Sequence, residues 1–308
     1  MNKINNAFTG FLFAFFGAIL FSTKAIIVKK AFADTQVDAL TLLTIRMIFS
    51  LPFFLAASVL VNHSTGNIRL SHKQWLSIIL LGLFGYYLSS YFDFAGLQFI
   101  SAGLERLILF LYPSMVALIN RVFFKQPITR AQVAALALTY LGIGIAYFDE
   151  MQLENANPDF IIGSILVLMC SITYAVYISG SGRLIPVVGA SKFTAYAMLS
   201  ATAGIFTHFL LQGSFVQLSE AAGLWEYGLV LSLVATVAPV FLISAGLKRI
   251  GSNNVAIISS VGPVSTIIQA QLILGERILT GQIIGTVMVI MGVLLTGWKS
   301  RDQAVKAG

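Results

Sequence analysis

Ten stretches of this chain are each long and apolar enough to cross a lipid bilayer, and nothing else in the sequence limits the fold as much. A spanning helix needs roughly 20 mostly apolar residues. Such runs fall at 9–29, 38–61, 75–97, 102–124, 130–149, 160–180, 191–212, 225–247, 253–274 and 280–298. Within hydrocarbon every backbone N–H and C=O must be satisfied by the segment itself, so each run is expected to be a helix. Charged residues make up 10% of the chain and apolar ones 57%, against about a quarter charged in soluble domains. A soluble core is excluded. The connections are short and carry turn formers: Asn157-Pro158, Gly180-Ser181-Gly182, Gln212-Gly213-Ser214 and Gly251-Ser252-Asn253-Asn254.

The net charge of +7 does not point to nucleic acid, because the basic residues are scattered over short loops. One side of the expected membrane carries Lys3, Arg69, Lys73, Lys125, Arg130, Arg183, Lys192, Lys248, Arg249, Lys299, Arg301 and Lys306. The other has Lys29, Lys30, Arg277 and the loop 149–159, which holds Asp149, Glu150, Glu154 and Asp159 without a base. Positive charge marks the cytoplasmic side, so both termini are expected in the cytoplasm and the acidic loop outside, in a multi-pass inner (plasma) membrane protein. The apolar run 8–21 has no small-residue cleavage site after it and is read as a retained first helix. Cys170, alone and among apolar neighbours, reads as a packed small residue.

The chain also repeats itself. Residues 92–132 and 242–282 align at a fixed offset of 150. Ala95, Gly96, Leu97, Ile100, Pro113, Ile128 and Gln132 match Ala245, Gly246, Leu247, Ile250, Pro263, Ile278 and Gln282. Two modules, 10–148 and 160–297, then hold five spans each. An odd number makes the second module enter the membrane in the opposite sense. The expected fold is all-α and integral to the membrane: ten helices as two inverted five-helix repeats, with a substrate site between the halves.

Five charges interrupt the first-half spans, and their positions place them in one layer. Lys24, Arg46, Asp93, Glu105 and Arg106 fall three to eight residues from one end of their spans, roughly 5–12 Å below the slab surface. Such groups cost about 2.5–3.5 kcal/mol each when left facing lipid, so they are expected to face the bundle interior and pair. Three bases against two acids leave one cation over, which suits an anionic or zwitterionic substrate. For Lys24 and Asp93 a substrate or proton role and a structural ion pair both stay open. Glu105 and Arg106 read either as substrate contacts or as a helix-start pair, and Arg46 as the lock between the second helix and its neighbours.

The matched second-half positions are uncharged: Ile243, Val255 and Ala256. That half offers hydroxyls, amides and rings instead, with Tyr174, Tyr177, Ser259, Ser260 and Gln269 as candidate contacts beside Tyr91 and Tyr112 of the first half. Pro113 and Pro263 are expected to kink the fourth and ninth spans, as gates or as static bends. Gly142, Gly144, Gly285 and Gly292 would let helices approach closely. The sequence shows no phosphate-cradling loop, no cysteine–histidine metal set and no catalytic serine constellation, so no cofactor or metal is expected and an enzymatic reading has nothing to rest on. His63, His72 and His208 read as structural or solvated.

The repeat, the ten spans and several short words resemble the drug/metabolite transporter superfamily, in its EamA-type branch. The words are Phe21-Ser22-Thr23-Lys24-Ala25, Thr44-Ile45-Arg46, Asp93-Phe94-Ala95-Gly96-Leu97, Ser101-Ala102-Gly103-Leu104-Glu105-Arg106, Leu111-Tyr112-Pro113, Val261-Gly262-Pro263 and Leu274-Gly275-Glu276. The resemblance implies a central cavity lined by helices 1–4 and 6–9, with helices 5 and 10 peripheral and helices 4 and 9 helping to gate. Lys24 departs from it, standing where many relatives carry an uncharged polar residue. The function expected is alternating-access transport of a small polar metabolite without ATP, as efflux of an amino acid or related carboxylate. Uptake or exchange on the same fold, efflux of cationic drugs and a membrane-embedded enzyme are the alternatives. The expected partners are the substrate and the bilayer, with the carrier a monomer or homodimer.

Overall fold

The computed structural model describes the backbone over residues 3–62, 69–153 and 158–306, with side chains at 8–61, 69–130, 132–153, 158–243, 245, 246, 249, 250, 255 and 257–295. Among the described residues there is no strand. Nine helices among the described residues are long and apolar enough to span: α1 (Phe8–Thr35), α2 (Ala39–Val61), α3 (His72–Leu97), α4 (Ala102–Phe124), α5 (Gln132–Leu153), α6 (Pro158–Val188), α7 (Ala190–Gln212), α8 (Leu224–Ile243) and α9 (Ile257–Leu274). A shorter apolar helix, α10 (Thr280–Leu295), completes the ten.

Three helices outrun their expected ends. α1 continues to Thr35 rather than stopping near 29, which sets Lys24 about 9 Å deeper along the helix. α5 absorbs Asp149 and Glu150 from the expected acidic loop; Glu154 and Asn157 of that loop lie outside the described residues. α6 runs straight through Gly180-Ser181-Gly182 and ends only at Gly189, where φ is +84°. Ser181 Oγ donates back to the carbonyl of Ile178 at 3.1 Å, so this small-residue triplet satisfies itself within the helix instead of turning out of it.

The expected turn at 251–254 takes an unusual form. The backbone is helical from Ala238 to Ser259, and the side chains of 251–254 lie outside the described residues. Contacts along α1 nevertheless show a reversal. Ile243 meets Gly17, Gly246 meets Ala14, and Arg249 with Ile250 meets Gly10, so the chain descends antiparallel to α1. Gly262 and Thr266 then lie against Ser22. At 1.5 Å of rise per residue the chain cannot regain that height unless it doubles back between 250 and 259.

The repeat is written in the backbone at the same offset as in the sequence. A π-helical segment spans Leu83–Leu88 in α3 and Leu233–Val237 in α8. Helix α4 breaks at Phe110–Leu111, and α9 breaks at Ser260. Lys125 (φ +55°) and Gly275 (φ +71°) end their helices in the left-handed conformation. In both repeats the next N–H returns to a carbonyl six residues back, Gln126 to Asn120 and Glu276 to Ala270. The ten helices thus form two inverted repeats.

α5 and α10 pack mainly against each other, at the margin of the bundle. Gly142 and Gly285 face backbone to backbone, and Gly292 abuts Thr139 and Ala135, while Gly144 faces open space. The largest apolar core joins α1, α2, α3, α7 and α8 around Ile26, Leu42, Leu43, Ile45, Met47 and Phe94. Close-packed helices here carry the charged layer described next.

Candidate substrate and coupling site

The five first-half charges come together inside the bundle. Lys24, Arg46, Asp93, Glu105 and Arg106 are 8, 5, 1, 0 and 6% exposed. They arrive on α1, α2, α3 and α4. Lys24 Nζ lies 2.5 Å from Asp93 Oδ2 and 3.5 Å from Glu105 Oε1, so one ammonium is shared by two carboxylates. Arg46 donates from Nη2 to Ser90 Oγ (3.1 Å), one turn from Asp93, and its guanidinium lies 5.0 Å from the centre of the Phe94 ring. These contacts join α2 to α3.

Glu105 and Arg106 are not a pair. The helix turns them to different neighbours: Glu105 meets Lys24, while Arg106 Nη2 donates to Ser22 Oγ at 3.3 Å. The Arg106 guanidinium also sits over Phe21 (5.3 Å) and Phe110 (5.4 Å). Among the described residues no carboxylate lies within ion-pair distance of Arg106. Gly262 of the second repeat presses against it, and a Cβ there would stand 2.7 Å from Nη2.

The candidate rings form a second bank. Tyr112 meets Tyr174 edge-on at 5.1 Å, Tyr174 stacks on Tyr177 at 5.8 Å, and Tyr177 donates to the Tyr86 hydroxyl at 3.0 Å. Tyr86 lies on the π segment of α3, where Gly85 leaves room for the Tyr177 ring. Cys170 is buried as a small packed residue, 3.3 Å from Ser89 Oγ.

Other candidates fall elsewhere. Tyr91 packs edge-on against His208 of α7 (4.9 Å), whose ring also reaches the Tyr87 hydroxyl and the Gln212 side chain. Ser260 Oγ is spent on the carbonyl of Ile257, and Gln269 donates to Ser265 one turn back. Ser259 is half-buried next to the helix break. Pro113 and Pro263 do not kink unbroken helices. Each sits in the first turn after a break, where the missing N–H removes no helical hydrogen bond.

A model of the EamA-like transporter family matches residues 8–148 and 161–298, nearly the whole chain. The chain belongs to the EamA-like transporter family. It is 30% identical over 290 residues to the uncharacterized transporter YcbK of Bacillus subtilis, covering 92% of this chain and 91% of that one. It is also 26% identical over 224 residues to the uncharacterized transporter YyaM of the same organism, covering 72% and 73%. A crystal structure at 16% identity superposes with a TM-score of 0.62 over 96% of this chain and 97% of its own, which supports the fold. This EamA-like protein is therefore a membrane transporter with a small-molecule substrate.

One network in the transporter escaped the sequence reading. At the end of the bundle where Thr35, Leu97 and Leu153 lie, Glu276 of the second repeat accepts from the backbone N–H of Ala102 through both oxygens (3.1 and 3.2 Å). Lys29 reaches Glu276 (3.7 Å) and donates to the carbonyl of Ile100 (2.7 Å). Glu150 accepts from Ser101 N, Ser101 Oγ and Gln282 Nε2, at 3.1, 2.8 and 2.9 Å. Asp149 takes the N–H of Gly281 at 2.6 Å. Acids expected in a solvated loop instead clasp the two repeats together. A hint was present: Gln132 and Gln282 match at the repeat offset, and both begin a helix.

Proposed function

We propose that this transporter carries a small metabolite bearing a carboxylate, an amino acid or related acid, by alternating access between its two repeats. Arg106 supports the reading most directly. Its buried guanidinium has a hydroxyl and two rings for company, stands at the contact between repeats, and leaves donors free for a bidentate carboxylate. Lys24 belongs to the same positive field. Tyr112 and Tyr174 flank the site on one side, and breaks in α4 and near α9 leave each helix able to pivot beside it.

The reading also includes a plasma-membrane location with both termini in the cytoplasm, which puts the Glu276–Ala102 clasp at the outer face. Efflux is the direction read from the sequence. Uptake on the same fold is the second reading, and the shared ammonium of Lys24 favours it for the reason developed below.

A thermal-shift screen of the purified carrier against amino acids, organic acids, nucleotides and cationic drugs tests the substrate class. A carboxylate is expected to stabilise the protein, by about 2.7 kcal/mol when present at ~100 times its Kd. Arg106→Gln should abolish that gain, and Lys24→Ala should reduce it. Stabilisation by apolar cations, unchanged in both variants, would overturn the carboxylate reading in favour of drug efflux.

A further inference from the structure

The layer contains two carboxylates and one ammonium between them. Asp93 holds Lys24 at 2.5 Å, and Glu105 reaches the same nitrogen only at 3.5 Å. Glu105 is fully buried, and neither of its oxygens accepts a hydrogen bond among the described residues. A buried carboxylate in that position cannot be fully compensated while Asp93 keeps the closer contact. The groups facing it are Lys24 from α1, Asp93 from α3, Cys170 from α6 and Arg106 next on its own helix. Glu150 of α5 caps the same helix through Ser101, and the nearby face of α10 offers the uncharged Gln282. Among the described residues no cation other than Lys24 lies within ion-pair distance of Glu105 or Asp93.

We infer that Glu105 binds a proton together with the substrate's carboxylate, making this carrier a proton–anion symporter. The inference rests on the carboxylate reading above. Hydronium supplies the proton: one of its O–H bonds breaks as one forms on a Glu105 oxygen, water is left behind, and one of the two negative charges facing Lys24 is removed. The positive field of Lys24 and Arg106 is then less offset, and an incoming anion is held more strongly. By reciprocity the anion favours the proton to the same extent. A proton gradient directed into the cell would drive uptake. A substrate ammonium would instead occupy the carboxylates and displace the proton, which gives the opposite coupling.

The proton is visible without knowing the substrate. Infrared difference spectra of the purified full-length carrier in heavy water should show the carbonyl band of a protonated carboxylic acid that titrates with pH. Glu105→Gln should remove it, whereas Glu150→Gln should leave it. Acetate, as the simplest carboxylate, should strengthen the band at fixed pH, and Arg106→Gln should cancel that effect. Absence of a titrating band, a band retained in Glu105→Gln, or weakening of the band by acetate or no response to bound acetate would each overturn the proposal. If Glu105→Gln fails to fold, carboxyl-labelled glutamate in the wild type replaces it: a band that does not shift with the label overturns the assignment. Acetate that gives no thermal shift at any pH would sink the carboxylate reading and symport with it, while the band alone still decides the proton site.

Discussion

One contribution of the second repeat to the charged layer is a missing side chain. Gly262 lets Arg106 lie across the contact between repeats, and an added methyl would meet Nη2 at 2.7 Å and Ser22 Oγ at 3.2 Å. Gly262 is buried, but both obstacles are ends of side chains rather than backbone, so Gly262→Ala should still fold, at a cost of roughly 1–3 kcal/mol. It should displace the guanidinium and weaken carboxylate binding by at least about tenfold, ~1.4 kcal/mol. Titration calorimetry would decide it, and unchanged affinity would mean Arg106 is not the anchor. The Lys24–Asp93 pair was legible in the sequence because isolated charges in apolar spans must turn inward and meet. The separation of Glu105 from Arg106 was not. Neighbours on a helix point about 100° apart, and nothing in a sequence says which helix stands at each azimuth. Gly262 was illegible for a related reason, since its use depends on an arginine 156 residues away.

At the level of helices, the glycines of the α5–α10 pair separate two roles that look alike in sequence. A Cβ on Gly285 would stand 2.4 Å from the Gly142 carbonyl, an obstacle that is backbone and cannot swing aside. Gly285→Ala should therefore force α5 and α10 apart, at a cost of roughly 1–3 kcal/mol. Gly144 faces open space, and Gly144→Ala should cost nothing or stabilise by a few tenths of a kcal/mol, up to ~1. Denaturation of both variants in one detergent checks the contrast, and equal losses would contradict the packing. Helix number and the repeat followed from hydropathy and the 150-residue offset, because both are properties of the chain alone. Helix ends did not. Gly180-Ser181-Gly182 looks like a turn yet lies inside α6, since small residues bend a chain only where packing or a positive φ requires it.

Taken whole, the molecule is shut at its clasped end. Glu276 and Gln282 of one repeat hold Ala102, Ser101 and Glu150 of the other, above a charged layer buried to a few percent. The buried Cys170 reports on access to that layer, 3.3 Å from Ser89. Glu276→Ala combined with Glu150→Gln should raise its rate of labelling by a water-soluble thiol reagent at least about tenfold, the equivalent of ~1.4 kcal/mol removed from opening. An unchanged rate would show that closure does not depend on the clasp. The three cations and two carboxylates of the layer also have an electrical meaning. Moving one elementary charge through the membrane field is worth about 2.3 kcal/mol per ~100 mV. The empty layer carries one positive charge. On the symport proposed above, an anion and a proton aboard leave it at one, so the outward and return legs would cross the field alike, and the cycle would draw on the pH difference and not on the membrane voltage.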